Sequence, residues 1–196
     1  MIGIIDYEAG NLASVSNALK AIGASFVVSS QTDRLSDCSG IILPGVGAAP
    51  LAMRSLHSRG LVRFIQELRQ PFLGICLGMQ LLYDKSEEGE TDCLGIASGV
   101  VRRFDDDAER VPHMGWNEVL FRTGNGLAEP TGKKSSFYFA HSYYAPLGAA
   151  TSAVTECGIN FSAAIRVENF YGVQFHPEKS GDAGLNLLKS FCGLCD

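Results

Sequence analysis

The chain has 196 residues, of which 46% are apolar and 19% charged, a composition typical of a globular protein. This length predicts a single domain covering residues 1–196. The apolar runs at 40–51 and 71–77 are much shorter than the roughly 18 residues that a membrane span needs, which argues against a transmembrane protein. No basic segment precedes the first apolar stretch, so the first residues predict a strand and not a secretory signal.

The charge and the cysteines restrict the partners and the compartment. Sixteen Lys and Arg against 21 Asp and Glu give a net charge of −5, which makes nucleic acid and anionic membranes poor partners. Six scattered cysteines are too sparse for a disulfide scaffold and predict a cytoplasmic protein. Cys192 and Cys195 form a C-x-x-C pair, which indicates either a redox or metal pair or simply the end of a terminal helix. We favour the helix end. We expect no metal site, an exposed helix position for His57, and structural or pocket-wall positions for His113 and His141.

The first half of the chain alternates short apolar strands with helices. The strands are predicted at 2–5, 26–29, 41–43 and 72–76, and the helices at 12–22, 49–59 and 61–69. This alternation is typical of parallel βαβ units with helices on both faces of the sheet. Ligands of such folds bind at the carboxyl ends of the parallel strands, so we expect the functional residues there.

The second half is rich in β-branched and aromatic residues and predicts antiparallel structure. Its strands are predicted at 100–104, 116–121, 136–141, 153–157, 162–167 and 169–175, with a hairpin bend at 169–172 and a closing helix at 182–191. The fold class that follows is α/β, with a mixed, largely parallel central sheet, helices on both faces and added antiparallel strands.

A G-x-C-x-G pentapeptide spans residues 74–78, between a predicted strand and a helix predicted at 79–83. This arrangement is typical of a nucleophile elbow, in which two glycines permit a sharp turn that projects the central side chain. Cys76 would lie beside the N-terminus of the helix, where an anion is favoured. The alternative is a buried structural cysteine, since free cysteine is among the most buried residue types.

His176 is the one histidine that has a carboxylate two positions later, at Glu178. In an extended backbone these two side chains point the same way about 7 Å apart, so the carboxylate can reach an imidazole nitrogen. The pattern indicates a triad in which Cys76 attacks, His176 transfers protons and Glu178 orients the ring. The alternative is an ordinary loop without a catalytic role.

The segment Leu43-Pro44-Gly45-Val46-Gly47 follows a predicted strand. Its glycines permit peptide orientations that other residues cannot adopt, so a backbone N–H of this loop can turn toward an oxyanion. In elbow folds the other donor is the residue after the nucleophile, here Leu77. The alternative is a simple turn.

These three segments, in this order, resemble the triad-type, or class I, glutamine amidotransferases. Four further segments, at 10–15, 86–88, 112–117 and 137–143, resemble one group within that family, the glutaminase subunits of imidazole glycerol phosphate synthases. The resemblance extends over nearly the whole chain. It implies a class I glutamine amidotransferase domain that hydrolyses L-glutamine to glutamate and ammonia through a cysteine thioester, without a cofactor.

The resemblance also implies roles for individual residues. Cys76 would be the nucleophile, with His176 and Glu178 as its partners, and the peptides of Val46 and Leu77 would form the oxyanion hole. The glutamine pocket would be lined by Gly45, Gly47, Gln80, His141, Ser142 and Tyr143. Asn11, Trp116 and Lys179 would face a partner subunit, although Trp116 is as well explained as a core aromatic residue.

That partner is implied to be a cyclase subunit with a (β/α)₈ barrel, forming a heterodimer with this chain. It would use the ammonia to make imidazole glycerol phosphate and aminoimidazole carboxamide ribotide in histidine biosynthesis. The sequence itself has no P-loop and no dinucleotide fingerprint after its first strand, so the ammonia must be consumed elsewhere.

Two other functions are compatible with parts of the sequence. A glutaminase subunit for pyridoxal phosphate synthesis would have a similar triad, but the segments at 44–47 and 112–117 argue against it. A catalytically silent α/β binding or regulatory module would keep the elbow only for packing. The complete set of Cys76, His176 and Glu178 argues against that alternative.

Overall fold

The computed structural model describes residues 1–8, 11–105, 111–122, 126–127 and 134–195. Gly10, the first residue of one segment that carries the resemblance, lies outside the described residues. Within the described ranges, no helix is both long enough and apolar enough to cross a membrane.

The first half alternates strands and helices as predicted. Its elements are β1 (Ile2–Ile5), α1 (Leu12–Ala21), β2 (Phe26–Ser29), α2 (Thr32–Ser36), β3 (Gly40–Gly45), α3 (Ala49–Ser58), α4 (Leu61–Gln66) and β4 (Phe72–Cys76). The sequence did not predict α2, because a helix of this length with Leu35 as its one buried residue has no readable period. Helix α4 ends at Gln66 and not at Arg69, because the chain must turn back before Pro71 to enter β4.

The second half is mostly antiparallel, with short elements around it. It contains α5 (Leu77–Gln80), β5 (Tyr83–Ser86), β6 (Thr91–Asp92), β7 (Ala97–Arg103), β8 (His113–Phe121), β9 (Lys134–His141), β10 (Tyr143–Tyr144), β11 (Thr151–Cys157), β12 (Ile159–Val167), β13 (Phe170–Val173) and α6 (Gly181–Gly193). Each strand predicted in this half is present, with bounds that differ by a few residues.

Two predictions in this half were wrong. The helix expected at 79–83 is α5, which starts at Leu77 and ends at Gln80, and Tyr83 instead begins a strand that pairs with Ala97. A short apolar run fits either structure, and pairing between β5 and β7 decides it here. The hairpin bend expected at 169–172 lies at Glu168 and Asn169, because Phe170 and the residues after it pair with both β12 and β4.

The central sheet has nine strands in the order β2-β1-β3-β4-β13-β12-β11-β8-β9. Strands β2, β1, β3, β4 and β13 run parallel, and the strands from β13 to β9 pair antiparallel. A second sheet of four strands has the order β10-β7-β5-β6. The observed fold is the mixed α/β class that the sequence predicts.

The strand order explains where the functional residues meet. Strand β4 lies between β3 and β13, with Gly45 paired to Cys76 and Ile75 paired to Val173. All three strands are parallel, so their carboxyl ends share one edge of the sheet. Apolar side chains form two buried clusters that pack against the sheet and make this edge rigid. The elbow, the glycine loop after β3 and the histidine segment after β13 are therefore neighbours.

Candidate active site

Cys76 lies on a strained turn between β4 and α5. Its backbone has φ 53° and ψ −109°, a conformation that residues other than glycine rarely adopt. The flanking glycines are required by close backbone approaches: a Cβ on Gly74 would lie 2.4 Å from the Gly78 carbonyl oxygen, and one on Gly78 would lie 2.1 Å from the Leu43 carbonyl oxygen. The elbow predicted from the glycine spacing is present, and it places the Cys76 side chain at the sheet edge.

His176 and Glu178 form a buried pair next to Cys76. The Nδ1 of His176 lies 2.8 Å from Oε1 of Glu178, and the two side chains are 4% and 1% exposed. The sequence predicts an extended backbone from His176 to Glu178. Only His176 is extended, because Pro177–Lys179 form a 3₁₀ turn. This turn brings the carboxylate to the ring, and Ser180 stabilises it by donating a hydrogen bond to the His176 carbonyl.

The electrostatic environment favours a protonated His176. Burial lowers its pKa, but hydrogen bonds with Cys76 and Glu178, and the negative charge of both groups, raise the pKa from 6.5 to about 10. These contacts favour the protonated form of the ring. Because it lies between the sulfur and the carboxylate, it can pass a proton to a group bound at Cys76.

Two buried amides connect Cys76 to the strand opposite. The Nε2 atom of Gln174 lies 3.7 Å from Sγ of Cys76. The Nε2 atom of Gln80 donates to Oε1 of Gln174 at 2.9 Å and to the carbonyl oxygen of Tyr143 at 2.8 Å. When Cys76 is a thiol, its Sγ also donates to the Ala140 carbonyl at 3.9 Å. Cys76 is thus surrounded by specific polar contacts.

His141 forms a wall of the site and is not a proton carrier. Its Nδ1 donates to the Tyr143 carbonyl at 2.7 Å, which leaves Nε2 to accept from Nδ1 of His113 at 3.0 Å. Burial, the hydrogen bond to the Tyr143 carbonyl and the charges of His113 and His176 together set the pKa of His141 at about 3, because burial and the two histidines lower it more than the hydrogen bond raises it. The ring is neutral at neutral pH, in agreement with the pocket-wall position expected from the sequence.

A cavity of about 320 Å³ opens beside Cys76. This volume is at the lower end for small-molecule sites and suits a single amino acid. It is lined by Val46, Gly47, Cys76, Leu77, Gln80, Glu88, Pro112, Met114, Ala140, His141, Ser142, Tyr143, His176 and Lys179. The residues predicted to line the glutamine pocket therefore surround this cavity, except Gly45, which packs under it.

The glycine loop after β3 is held at its base and free at its tip. Gly45 packs so closely on α5 that a Cβ there would lie 2.3 Å from the Gly78 nitrogen. The hydroxyl of Tyr7 donates to the Pro44 carbonyl at 2.9 Å, and burial together with the charge of Cys76 raises the pKa of that phenol. Gly47, in contrast, has φ +96° and open space where a side chain would be.

Of the residues expected to face a partner, Lys179 lines the cavity and Trp116 lies close to it through Tyr138. Trp116 is 60% exposed, and its ring packs edge-on against Tyr138 at 6.3 Å. The Nζ of Lys179 lies 5.9 Å from the centre of the same Tyr138 ring. Asn11 is at this edge of the sheet as well, where its side chain caps α1 by accepting from the Ser14 N–H at 3.3 Å. Trp116 is therefore not a core residue.

The sequence predicts no role for three residues that the structure places in the site. Glu88, interpreted as part of a solvated charge pair, lines the cavity and accepts the Ala49 N–H at 2.7 Å, capping α3 directly after the glycine loop. Gln174 and Ala140 contact Sγ. Gln174 lies two residues before His176 and Ala140 one before His141, and this proximity is the only local signal that could have pointed to them. Among the described residues, no three His, Cys, Asp or Glu side chains form a group that could hold a metal ion.

Comparison with known proteins agrees with this geometry. The family model "Glutamine amidotransferase class-I" matches residues 3–193. The protein called imidazole glycerol phosphate synthase subunit HisH from Bacteroides fragilis (strain YCH46) is 47% identical over 195 residues, covering 98% of this chain and 99% of that protein. HisH from Bacillus cereus (strain ATCC 10987 / NRS 248) is 45% identical over 202 residues, covering 100% and 96%.

Solved structures show the same fold at lower identity. A crystal structure described as a glutamine amidotransferase has a TM-score of 0.77 at 19% identity, covering 99% of this chain and 98% of that one. The structure of PurLQS from Thermotoga maritima has a TM-score of 0.74 at 18% identity, covering 98% and 97%. The family match spans nearly the whole chain, and the sequence relatives share almost half of their residues with it. The chain therefore belongs to the class I glutamine amidotransferases, in the group of glutaminase subunits represented by HisH.

Proposed function

We propose that residues 1–196 act as one glutaminase domain of an imidazole glycerol phosphate synthase, with Cys76, His176 and Glu178 as its catalytic residues. The observation that carries this proposal is the meeting of Cys76 with the buried His176–Glu178 pair beside a cavity for one amino acid. The names of relatives that are 45–47% identical support the assignment to this synthase.

Acylation begins when Sγ of Cys76 attacks the carboxamide carbon of glutamine. The carbonyl oxygen becomes an oxyanion, which the N–H of Leu77 and a peptide N–H at Val46 stabilise. His176 gives its proton to the departing amide nitrogen, so the C–N bond breaks and ammonia leaves. Glu178 keeps the imidazole oriented and stabilises its charge. The product is a γ-glutamyl thioester on Cys76.

Hydrolysis reverses these roles with water in place of ammonia. Neutral His176 takes a proton from a water molecule that attacks the thioester carbon. The C–S bond then breaks, glutamate leaves, and the Cys76 thiolate and His176 imidazolium are restored. The groups of the chain and one water molecule balance the whole reaction, so it needs no metal or cofactor.

Exposed apolar side chains near the mouth of the cavity indicate a docking surface for a synthase subunit. Met114 and Trp116 are 64% and 60% exposed, and Val46 is 40% exposed, which is unusual for apolar side chains this close together. We propose that a cyclase subunit with a (β/α)₈ barrel covers them as a heterodimer, with Asn11, Trp116 and Lys179 in contact. Ammonia then passes directly to a site that makes imidazole glycerol phosphate and aminoimidazole carboxamide ribotide.

We place the reaction in the cytoplasm. None of the six cysteines, all of which lie in the described part of the chain, forms a disulfide, and Cys76 must be reduced to act as a nucleophile. An oxidising compartment would favour its loss to a disulfide or an oxidised acid.

A glutamate-release assay tests the proposal. With a synthase partner and its nucleotide substrate present, glutamate and imidazole product should form together. Cys76→Ala should abolish glutamine-dependent synthesis but leave ammonia-dependent synthesis by the partner intact. Cys157→Ala, a cysteine on β11 away from the cavity, is the matched control. Turnover of glutamine by Cys76→Ala would exclude the thioester mechanism.

The contributions of His176 and Glu178 are separable in the same assay. His176→Ala should reduce the turnover more than Glu178→Gln, because the carboxylate orients the base without carrying the proton. Equal losses would show that Glu178 does more than orient the ring. Trapping of Cys76 by an electrophilic glutamine analogue distinguishes an active glutaminase from a silent regulatory module.

A further inference from the structure

The hydrogen bonds around Cys76 fix which atom of the Gln174 amide faces the sulfur. The carbonyl oxygen of Tyr143 can only accept, so the Gln80 atom 2.8 Å from it must be the amide nitrogen. That same nitrogen lies 2.9 Å from Gln174, and the Gln174 atom that faces it must therefore be the oxygen. The remaining Gln174 atom, 3.7 Å from Sγ of Cys76, is the NH₂ group.

An amide NH₂ aimed at a sulfur stabilises the thiolate more than the thiol. The NH₂ group only donates, and a thiolate is a stronger acceptor than a neutral thiol because it carries the full negative charge. Gln174 has no exposed surface and Gln80 is 4% exposed, so water does not compete for these hydrogen bonds.

We propose that Gln174 holds Cys76 as a thiolate ready for attack, and that Gln80 acts through Gln174 as a positioning residue. Hydrogen bonds connect the Tyr143 carbonyl, which accepts from Gln80, through both amides to the sulfur, which accepts from Gln174. This connection reaches Sγ independently of the His176 ring, which binds the same sulfur. The inference deepens the proposed function, since it rests on Cys76 as the nucleophile of the glutaminase.

The structure also explains why a second stabilising group is useful here. Helix α5 has only four residues, so its N-terminus offers the sulfur only a small dipole. His176 must also give up its proton when ammonia leaves. A neutral donor such as Gln174 keeps its protons through the whole cycle and can donate to the sulfur again when the thiolate re-forms.

The pH profile of Cys76 alkylation tests the proposal on the full chain. Iodoacetamide reacts with the thiolate, and peptide mass spectrometry reads the reaction at Cys76 separately from the other cysteines. Gln174→Met keeps the approximate volume but removes the donor. We expect the pH of half-maximal alkylation to rise by about one unit, a tenfold change, which is the lower end for a hydrogen bond to a charged group.

Gln80→Met and Gln66→Met complete the set of variants. Gln80→Met leaves the donor in place but frees the Gln174 amide to rotate, so it should shift the profile in the same direction by a smaller amount. Gln66→Met is the matched control. It removes another side-chain amide, which lies away from the site and donates to the Leu94 carbonyl oxygen at 2.8 Å. Its alkylation profile at Cys76 should equal that of the unsubstituted chain.

The outcomes separate this inference from the proposed function. A lower melting temperature of Gln174→Met with an unchanged alkylation profile would overturn the inference, because a purely structural residue behaves that way. Should Gln174→Met not fold, an unchanged profile in Gln80→Met would overturn it equally. If the profile shifts but the unsubstituted chain with its partner releases no glutamate, the proposed function fails and the role of Gln174 stands.

Discussion

Cys76→Gly should leave the protein more stable than Cys76→Ala does, although both variants remove the thiol. The backbone at Cys76 has φ 53° and ψ −109°, which any side chain with a Cβ adopts only under strain. Such strain costs about 1–3 kcal/mol, and Cys76→Ala retains it. Cys76→Gly relieves it but adds about 0.5–1 kcal/mol of chain entropy to the unfolded state.

The difference leaves Cys76→Gly more stable than Cys76→Ala by about 1 kcal/mol. For a chain of 196 residues, this corresponds to a melting temperature about 2–4 °C higher. Calorimetry and urea unfolding of the two variants measure it directly. The comparison between two inactive variants excludes any effect of the thiol itself.

Cys192 provides the matched control, because it lies in helix α6. There the order should reverse, with Cys192→Gly less stable than Cys192→Ala by up to about 1 kcal/mol, the usual helix penalty of glycine. A Cys76→Gly variant that is equally or less stable than Cys76→Ala would refute the argument, since the elbow would then hold no strain at this residue.

Three further predictions concern the loop, the pH dependence and the partner. Gly47→Ala puts a Cβ at φ +96°, where an L side chain is strained even in open space, so it should restrict the loop and lower partner-activated glutamate release more than basal release. His141 is neutral when folded, with a pKa near 3, but protonates near 6.5 when unfolded, so stability falls with acidification below that pH. Between pH 7 and 5.5, the free energy of unfolding measured with urea should fall by about 1.3 kcal/mol less in His141→Gln than in the unsubstituted chain. His57→Gln, at an exposed position, is the control. In partner titrations, Trp116→Ala should weaken subunit affinity, whereas Lys179→Ala should chiefly lower ligand-stimulated glutaminase activity and leave the fold intact. Unchanged affinity, stimulation and product-to-glutamate ratio in both variants would place the interface elsewhere.

Rules that depend only on neighbouring residues were sufficient to predict much of the secondary structure and the elbow of this protein. The alternation of strands and helices and the glycine spacing around Cys76 are properties of short segments, since strand period, helix period and positive φ are set by neighbouring residues. For the same reason, the sequence predicted a pairing of His176 with Glu178, which are two positions apart. It did not predict that a 3₁₀ turn at Pro177–Lys179 makes the contact.

Long-range pairing decided the rest. No local pattern tells that β13 lies beside β4, and this placement brings His176 next to Cys76. The roles of Gln174 and Gln80 depend on a carbonyl of a distant strand, whose position fixes both amide orientations. Residue types and local spacing thus determined which chemistry the chain has available. Only the tertiary structure decided which polar atoms meet, because hydrogen bonds between distant segments depend on the packing of the whole sheet.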